Sequence, residues 1–410
     1  MYPTIYHAVL DLLGLDWPWL KMLNSFGFFV ALAFITASYL LTSELKRKAG
    51  LGLFKPQALK VITGQAPQIS DIVVHAALGF LVGWKLIFVF MHAGSSSPQA
   101  LLFSSKGNII MGMLLAIGFA AWRYWDQKRL QLPEPKETIE TIFPHHYTGN
   151  ITMMAALFGL IGAKLFHLLE NPSELIDFFT RPSFANFISG LTVYGGLIVG
   201  SIGVLFYAYR KGIALLPLCD AAAPGMILAY GIGRIGCQVS GDGDWGIANA
   251  SPKPGWLSWM PDWLWSYDYP NNVNYDVAEK YYLGPLNDTN LLPIEPGQGV
   301  IFEGYGTHLV PGVFPTPVYE TLLATLIFMV LWSLRKRIQV PGVIFSIYLI
   351  MNGFERFFIE KIRVNNRFDL LGFQATQAEM IALLFMLTGA IGLWWLTKRN
   401  RLTKNIGADV

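Results

Sequence analysis

Residues 217–238 read PLCDAAAPGMILAYGIGRIGCQ, a mostly apolar run that carries Arg234 near its end and leads directly to Gly241 and Asp242. A helix needs about 20 mostly apolar residues to cross the hydrocarbon of a bilayer. This run is long enough, and Arg234 sits where such a helix would leave the membrane. Eight more stretches have the same character, at 24–43, 71–92, 107–123, 150–169, 190–208, 318–334, 341–362 and 379–397. Composition agrees: 53% of residues are hydrophobic and 14% charged, too little polar surface for a soluble domain. The expected fold is an all-α polytopic membrane protein of about nine transmembrane helices.

The basic residues set an orientation. With the N-terminus outside, the inside segments are 44–70, 123–149, 209–216, 335–340 and 398–410; they hold eighteen of the thirty Lys and Arg, against eight in the outside segments. That bias predicts an N-out, C-in protein. The expected organisation is an interfacial segment outside at 1–23, six helices over 24–239, a head outside at 240–316, three helices over 317–398 and a tail inside at 399–410. Trp256, Trp259, Trp263, Trp265, Tyr267 and Tyr269 suit a small head resting on lipid headgroups. A duplicated helical hairpin is also legible, with 71–130 and 150–211 as its copies. The run from Ala76 to Leu86 parallels Ala155 to Leu165, and Gly107 to Gly112 parallels Gly190 to Gly195.

A net charge of +3 gives no ground for nucleic-acid binding. Cys219 and Cys237 lie on one expected helix, separated by roughly 27 Å of rise, beyond disulfide reach. No CxxC or metal-ligand spacing occurs, so neither a metal nor a cofactor is expected.

Charges inside a bilayer are costly and mark function by default. On this topology Lys164, His167, Tyr194, Arg234, Asp242, Glu320, Arg356, Glu360 and Arg363 all fall toward the outer leaflet. Arg356, Glu360 and Arg363 follow an i, i+4, i+7 spacing and share a helix face. Four cations (Lys164, Arg234, Arg356, Arg363) then meet three acids (Asp242, Glu320, Glu360), leaving room for one bound anion. From the residues alone two readings stay open: a lipid phosphate held there, or helix ends anchored by snorkelling pairs.

At these residues the chain resembles the bacterial phosphatidylglycerol–prolipoprotein diacylglyceryl transferases. Gly233-Arg234-Ile235-Gly236, then Gly241-Asp242 and Trp245-Gly246, resembles the family's Gly-Arg-x-Gly, Asn, Gly-Glu and Trp-Gly. Asp220 to Pro224 matches its Asp-x-x-Ala-Pro, and Tyr194-Gly195-Gly196-Leu197-Ile198 resembles its His-Gly-Gly-Leu-Ile. Pro315 to Glu320 resembles its His-Pro-Ser/Thr-Gln-x-Tyr-Glu, and Arg356, Glu360 and Arg363 fall on its Arg-x-x-x-Glu-x-x-Arg. The order and spacing hold over roughly 150–365. The departures are Tyr194 for His, Cys237 for Asn, Asp242 for Glu, an extra residue before Trp245, Phe26 for Tyr and Asn352 for Tyr.

The resemblance implies transfer of a diacylglyceryl group from phosphatidylglycerol to the lipobox cysteine thiol in a prolipoprotein signal peptide, with glycerol phosphate released. The expected partners are that lipid, that peptide and the surrounding membrane lipids. It implies a substrate-binding set of Arg234, Arg356, Arg363, Glu320 and Lys164, with Arg234 and Arg356 on the phosphate. Glu360 would orient the arginines and Asp242 the leaving headgroup. For proton transfer the expected groups are His167 as base and Tyr194 as a phenolic relay. Cys237 reads as a small buried hydrophobe. The departures touch the acid–base positions more than the cations, so the alternative is an inactive relative that binds lipid or lipoprotein precursors. A small-solute transporter is third, since these repeats are parallel and the charges avoid the midplane.

Overall fold

The computed structural model of the chain describes residues 1–92, 101, 104, 106–180, 190–273, 290–295, 297, 300–364, 367–370 and 373–406. Part of the expected head, 274–289, lies outside these residues. In chain order the helices are α1 (Ile5–Leu13), α2 (Ser25–Gly50), α3 (Ile69–His92), α4 (Ile109–Leu130), α5 (Thr148–Glu170), α6 (Pro172–Thr180), α7 (Val193–Arg210), α8 (Leu215–Ser240), α9 (Thr316–Leu334), α10 (Val343–Ile359) and α11 (Gln377–Ile406). Helices stand at all nine apolar stretches read from the sequence. Seven of the described helices are long and apolar enough to cross a membrane by length and composition. The other two are α4, whose last turns carry Arg123, Asp126, Lys128 and Arg129, and α10, which has 17 residues and ends at a charged turn. Seven of the nine expected spans meet these criteria, and the other two are helices that do not.

The chain divides into two compact units. The first comprises Met1–Leu13, Leu23–Leu53 and Gly212–Val410. In it α8 packs against α2, α9 and α10, and α10 packs against α11. Its core joins Ala223 and Ile227 of α8, Ala324, Ile327 and Leu331 of α9, and Ile344 and Tyr348 of α10. These positions recur at three or four residues and so line one stripe of each helix. Lipid tails are as apolar as leucine, so helices in a membrane associate through close contact, and Ala223 and Ala324 (both 0% exposed) permit it.

α8 stops at Gly241, which adopts the left-handed conformation at φ 65° and donates its N–H to Cys237 O. The chain is then stitched between two helix ends: Gly246 N–H donates to Phe314 O at 2.8 Å and Ile247 N–H to Ile362 O at 2.9 Å. A side chain at Gly246 would strike Ile362 O and Phe314. Beyond it Trp245, Tyr269, Leu309 and Val313 form a small core beside the antiparallel strand pair Asn290–Pro293 and Thr307–Val310. The N-terminus joins this end of the unit, with Tyr2 N–H on Val239 O at 2.8 Å. Trp256 and Trp259 stand out from the head, each 77% exposed.

The second unit comprises Gly14–Met22 and Phe54–Lys211. An antiparallel two-stranded ribbon, Gln57–Thr63 with Lys136–Ile142, ties the segment before α3 to the segment after α4. Two helix pairs follow, α3 with α4 and α5 with α7. The glycines that match in sequence occupy matching crossings. A side chain at Gly83 would collide with Met111 O and Gly112 Cα, and one at Gly162 with Gly195 O and Val199. The hairpins differ in one respect: α3 contains a π-turn over Val82–Leu86, with Lys85 donating to Lys106 O at 2.7 Å.

Candidate active site

The polar end of the first unit is assembled from three helices and one loop. α8 supplies Tyr230, Arg234 and Cys237, which lie on nearby turns because the intervals are four and three residues. The loop after Gly241 supplies Asp242 and Asp244. Glu320 comes from the first turns of α9. The end of α10 and the 3₁₀ turn after it bring Glu355, Arg356, Glu360 and Arg363.

Glu320 is the hub. Its side chain is 0% exposed, and three guanidinium groups reach it: Arg234 Nε at 3.1 Å, Arg356 Nη1 at 3.3 Å and Arg363 Nη1 at 3.2 Å. Tyr230 donates its hydroxyl to Glu320 Oε1 at 2.9 Å, and the Arg234 guanidinium lies 5.2 Å from the Tyr230 ring centroid. Asp244 forms a second bridge, pairing with Arg234 and with Arg363 Nη2, the latter at 2.7 Å. Glu360 pairs with Arg356 at 3.3 Å across one helical turn. Mutual pairing of this kind is what permits three cations to remain in a low-dielectric site.

The two loop carboxyls are poised differently. Burial, reinforced by the neighbouring Asp244, pushes Asp242 up to about 6. Burial also acts on Asp244, but Arg234 and Arg363 overcome it and hold that carboxyl well below the usual range. Cys237 is not merely a small apolar filler as expected. Its thiol lies 3.6 Å from Asp244 Oδ2 and 3.6 Å from Arg234 Nη1. Cys237, Asp242 and Asp244 present ligand atoms within 4.8 Å of one another, a spacing that would admit a metal ion. Arg234, however, already places a positive charge on Asp244, which disfavours a second cation there.

Of the residues singled out in the sequence, Arg234, Glu320, Arg356, Glu360 and Arg363 meet in one cluster, and Asp242 adjoins it through Asp244. Lys164, His167 and Tyr194 belong to the second unit. There Lys164 is buried, and the Tyr194 hydroxyl is buried without a hydrogen-bond partner among the described residues. His167 is held by Glu174 at 2.8 Å and by Asn171 at 3.3 Å, with its ring against Gly190.

The charge count also changes. Three arginines of the cluster face Glu320, Asp244 and Glu360, so the surplus cation expected from the sequence is not present among them. Sequence reading missed Asp244 and Glu355. The extra residue before Trp245 was the signal for the first, because it shifts which carboxyl faces the arginines. For the second, the signal was a carboxyl inside an apolar stretch, passed over because the Arg-Glu-Arg spacing drew attention past it.

Fold and site together define an integral membrane protein with an ionic site at the end of a helix bundle. The family model described as prolipoprotein diacylglyceryl transferase matches residues 135–395. Phosphatidylglycerol–prolipoprotein diacylglyceryl transferases are among the relatives. That of Corynebacterium glutamicum is 28% identical over 258 residues, covering 62% of this chain and 70% of the relative. That of Leptospira interrogans is 23% identical over 418 aligned residues, covering 93% and 92%. That of Sodalis glossinidius is 26% identical over 298 residues, covering 70% and 89%. The chain belongs to the prolipoprotein diacylglyceryl transferase family and is a transferase of lipoprotein biosynthesis.

Proposed function

We propose that the cluster around Glu320 binds the phosphate of phosphatidylglycerol and supports transfer of its diacylglyceryl group to the cysteine thiol of a prolipoprotein. The observation that carries this reading is the convergence of Arg234, Arg356 and Arg363, from two helix ends, on shared carboxylates at one level. A thiolate attacks the glyceryl carbon, a C–S bond forms, and the C–O bond to phosphate breaks. Glycerol phosphate leaves with the electron pair. Cations in a site sheltered from water stabilise the charge that develops on that oxygen.

Because the arginines are already paired, an incoming phosphate must replace a carboxylate. Asp244 suits that exchange: it is on a loop, its side chain is 36% exposed, and it bridges Arg234 and Arg363 much as a phosphate would. Glu320, fully buried, stays as the hub that keeps the arginines aligned. Glu360 orients Arg356. Lys164, His167 and Tyr194 belong to the second unit and take no step in this proposal.

Purified protein mixed with phosphatidylglycerol and a lipobox peptide should yield a thioether-linked diacylglyceryl peptide. Lipid binding without that product would favour an inactive relative, a reading supported by Tyr194 and Cys237 standing where the family has His and Asn.

The proposed setting is the inner membrane, N-terminus and head outside and C-terminus cytoplasmic, with the segment boundaries given above. The basic-residue bias supports it, as does attachment of the N-terminal segment to the head end of the first unit. Single cysteines at Glu303 and Glu137, both on exposed segments, test it with an impermeant thiol reagent on spheroplasts. Labelling at Glu303 alone is expected; labelling at Glu137 alone would reverse the topology.

A further inference from the structure

Glu355 is the one acid of this end whose two carboxyl oxygens are both buried without a hydrogen-bond partner among the described residues. The residue is 4% exposed. It lies on the stripe of α10 that packs into the helix core, two turns beyond Tyr348, which belongs to that core. The charges it senses are those of Glu320 on α9, Arg234 on α8, and Arg356 and Arg363 at the end of α10. Tyr230 of α8 and Tyr348 of α10 sense it in turn. It therefore borders the arginine cluster without joining any ion pair found there.

A carboxyl buried in this way costs several kcal/mol unless something compensates it. Packing does not require one: the same stripe is apolar at Ile344 and aromatic at Tyr348. Glu320 has three arginines, Asp244 two and Glu360 one. What remains at Glu355 is a buried carboxyl without a hydrogen-bond partner among the described residues, on the helix that carries Arg356.

We propose that Glu355 is a catalytic residue, the carboxylate that takes the proton from the acceptor cysteine thiol. The inference rests on the transfer reaction proposed above. The S–H bond breaks and its proton passes to a Glu355 oxygen. The resulting thiolate forms the C–S bond to the glyceryl carbon while the C–O bond to phosphate breaks. The carboxyl then gives its proton to the departing glycerol phosphate, so Glu355 returns to its starting state and charge balances without a further reactant. A free thiol has a pKa of about 8.5 and is mostly protonated at neutral pH, so an adjacent base is needed.

The test compares wild type with Glu355→Gln and Glu355→Asp, measuring thioether formation on a lipobox peptide from pH 6 to 9. Gln keeps shape and removes the base, so kcat at pH 7 should fall about 100-fold or more. Half-saturation by phosphatidylglycerol should stay within about threefold. The residual rate of Glu355→Gln should climb about tenfold per pH unit up to the thiol's own pKa of about 8.5, whereas wild type should be faster throughout and level off at lower pH. Glu355→Asp should restore part of the rate. A Gln variant with wild-type rate and pH profile overturns the assignment. So does a variant that loses rate equally at every pH together with lipid binding, since that marks a structural role. Absence of product from wild type overturns the transfer reaction itself, and is told apart by needing no variant.

Discussion

The first unit carries buried charge at both ends of its helices, and the two ends are built to different rules. At the end away from the head, the buried carboxylates Asp220 and Glu44 are both engaged by cations. Asp220 pairs with Lys48 at 3.4 Å and accepts the N–H groups of Gly342 and Phe345 at 2.8 and 2.9 Å. Gly342 begins α10 in a left-handed conformation and has no side chain to cap it, so Asp220 reaches across from α8 to satisfy those donors. Glu44 is shared by Arg47 at 2.8 Å and Arg335 at 3.1 Å, and Arg335 stacks over Trp332 at 3.3 Å. At the head end, three arginines crowd one carboxylate, a thiol touches an ion pair, and the Glu355 carboxyl has no hydrogen-bond partner among the described residues. Burial of charge is common to both. What separates a site from a joint is the charge left over after pairing.

Variants can break that contrast. The largest expected effect on stability lies at the far end. Asp220→Ala strands Lys48, whose side chain is 3% exposed, and leaves the first donors of α10 unmet. Removing one partner of a buried pair costs about 3–5 kcal/mol. Denaturant titration in detergent should show that loss, while transfer per folded molecule stays within about threefold of wild type. A collapse of transfer in molecules that remain folded would mean that the two ends do not have separate tasks.

A smaller effect sharpens the head end. The Asp242 carboxyl has its folded-state pKa raised to about 6 from an ordinary 3.8. The folded protein thus binds that proton more tightly than the unfolded chain. The stabilisation it gives is fully present below about 3.8 and is lost as pH rises through about 6. Asp244 is shifted the opposite way, so its contribution stands at neutral pH and disappears only on strong acidification. Between pH 7 and pH 5 wild type should therefore gain stability relative to Asp242→Asn, read from paired melting curves. An opposite trend would show Asp242 to be held as an anion.

Much of this was legible from the sequence. The apolar stretches located the helices because hydrocarbon demands continuous runs, and the penalty for charge within them pointed to Arg234, Glu320 and Arg356. Helical spacing correctly put Arg356 and Glu360 within pairing distance. What the sequence hid was set by loop geometry. Asp242 and Asp244 are two residues apart on a turn, and only the stitching of Gly246 and Ile247 between α9 and α10 decides that Asp244 faces the arginines. Nor could a one-dimensional reading anticipate that Cys237, on α8, would share its surroundings with that same loop. Two of the nine stretches, α4 and α10, miss the length and composition that the other seven meet, because one is charged over its last turns and the other has 17 residues.

The central claim is that the arginines of the head end carry the lipid phosphate through the transfer. It is tested most directly by assaying Arg234→Gln and Arg356→Gln, singly and together, for phosphatidylglycerol binding and for thioether product by mass spectrometry. Gln keeps much of the length and hydrogen bonding but removes the charge. Charge-assisted pairing contributes roughly 2–4 kcal/mol to such a transition state, so each single variant should lose about 30- to 1000-fold in transfer while remaining folded. A double variant that binds the lipid and forms the thioether at the wild-type rate would contradict the account.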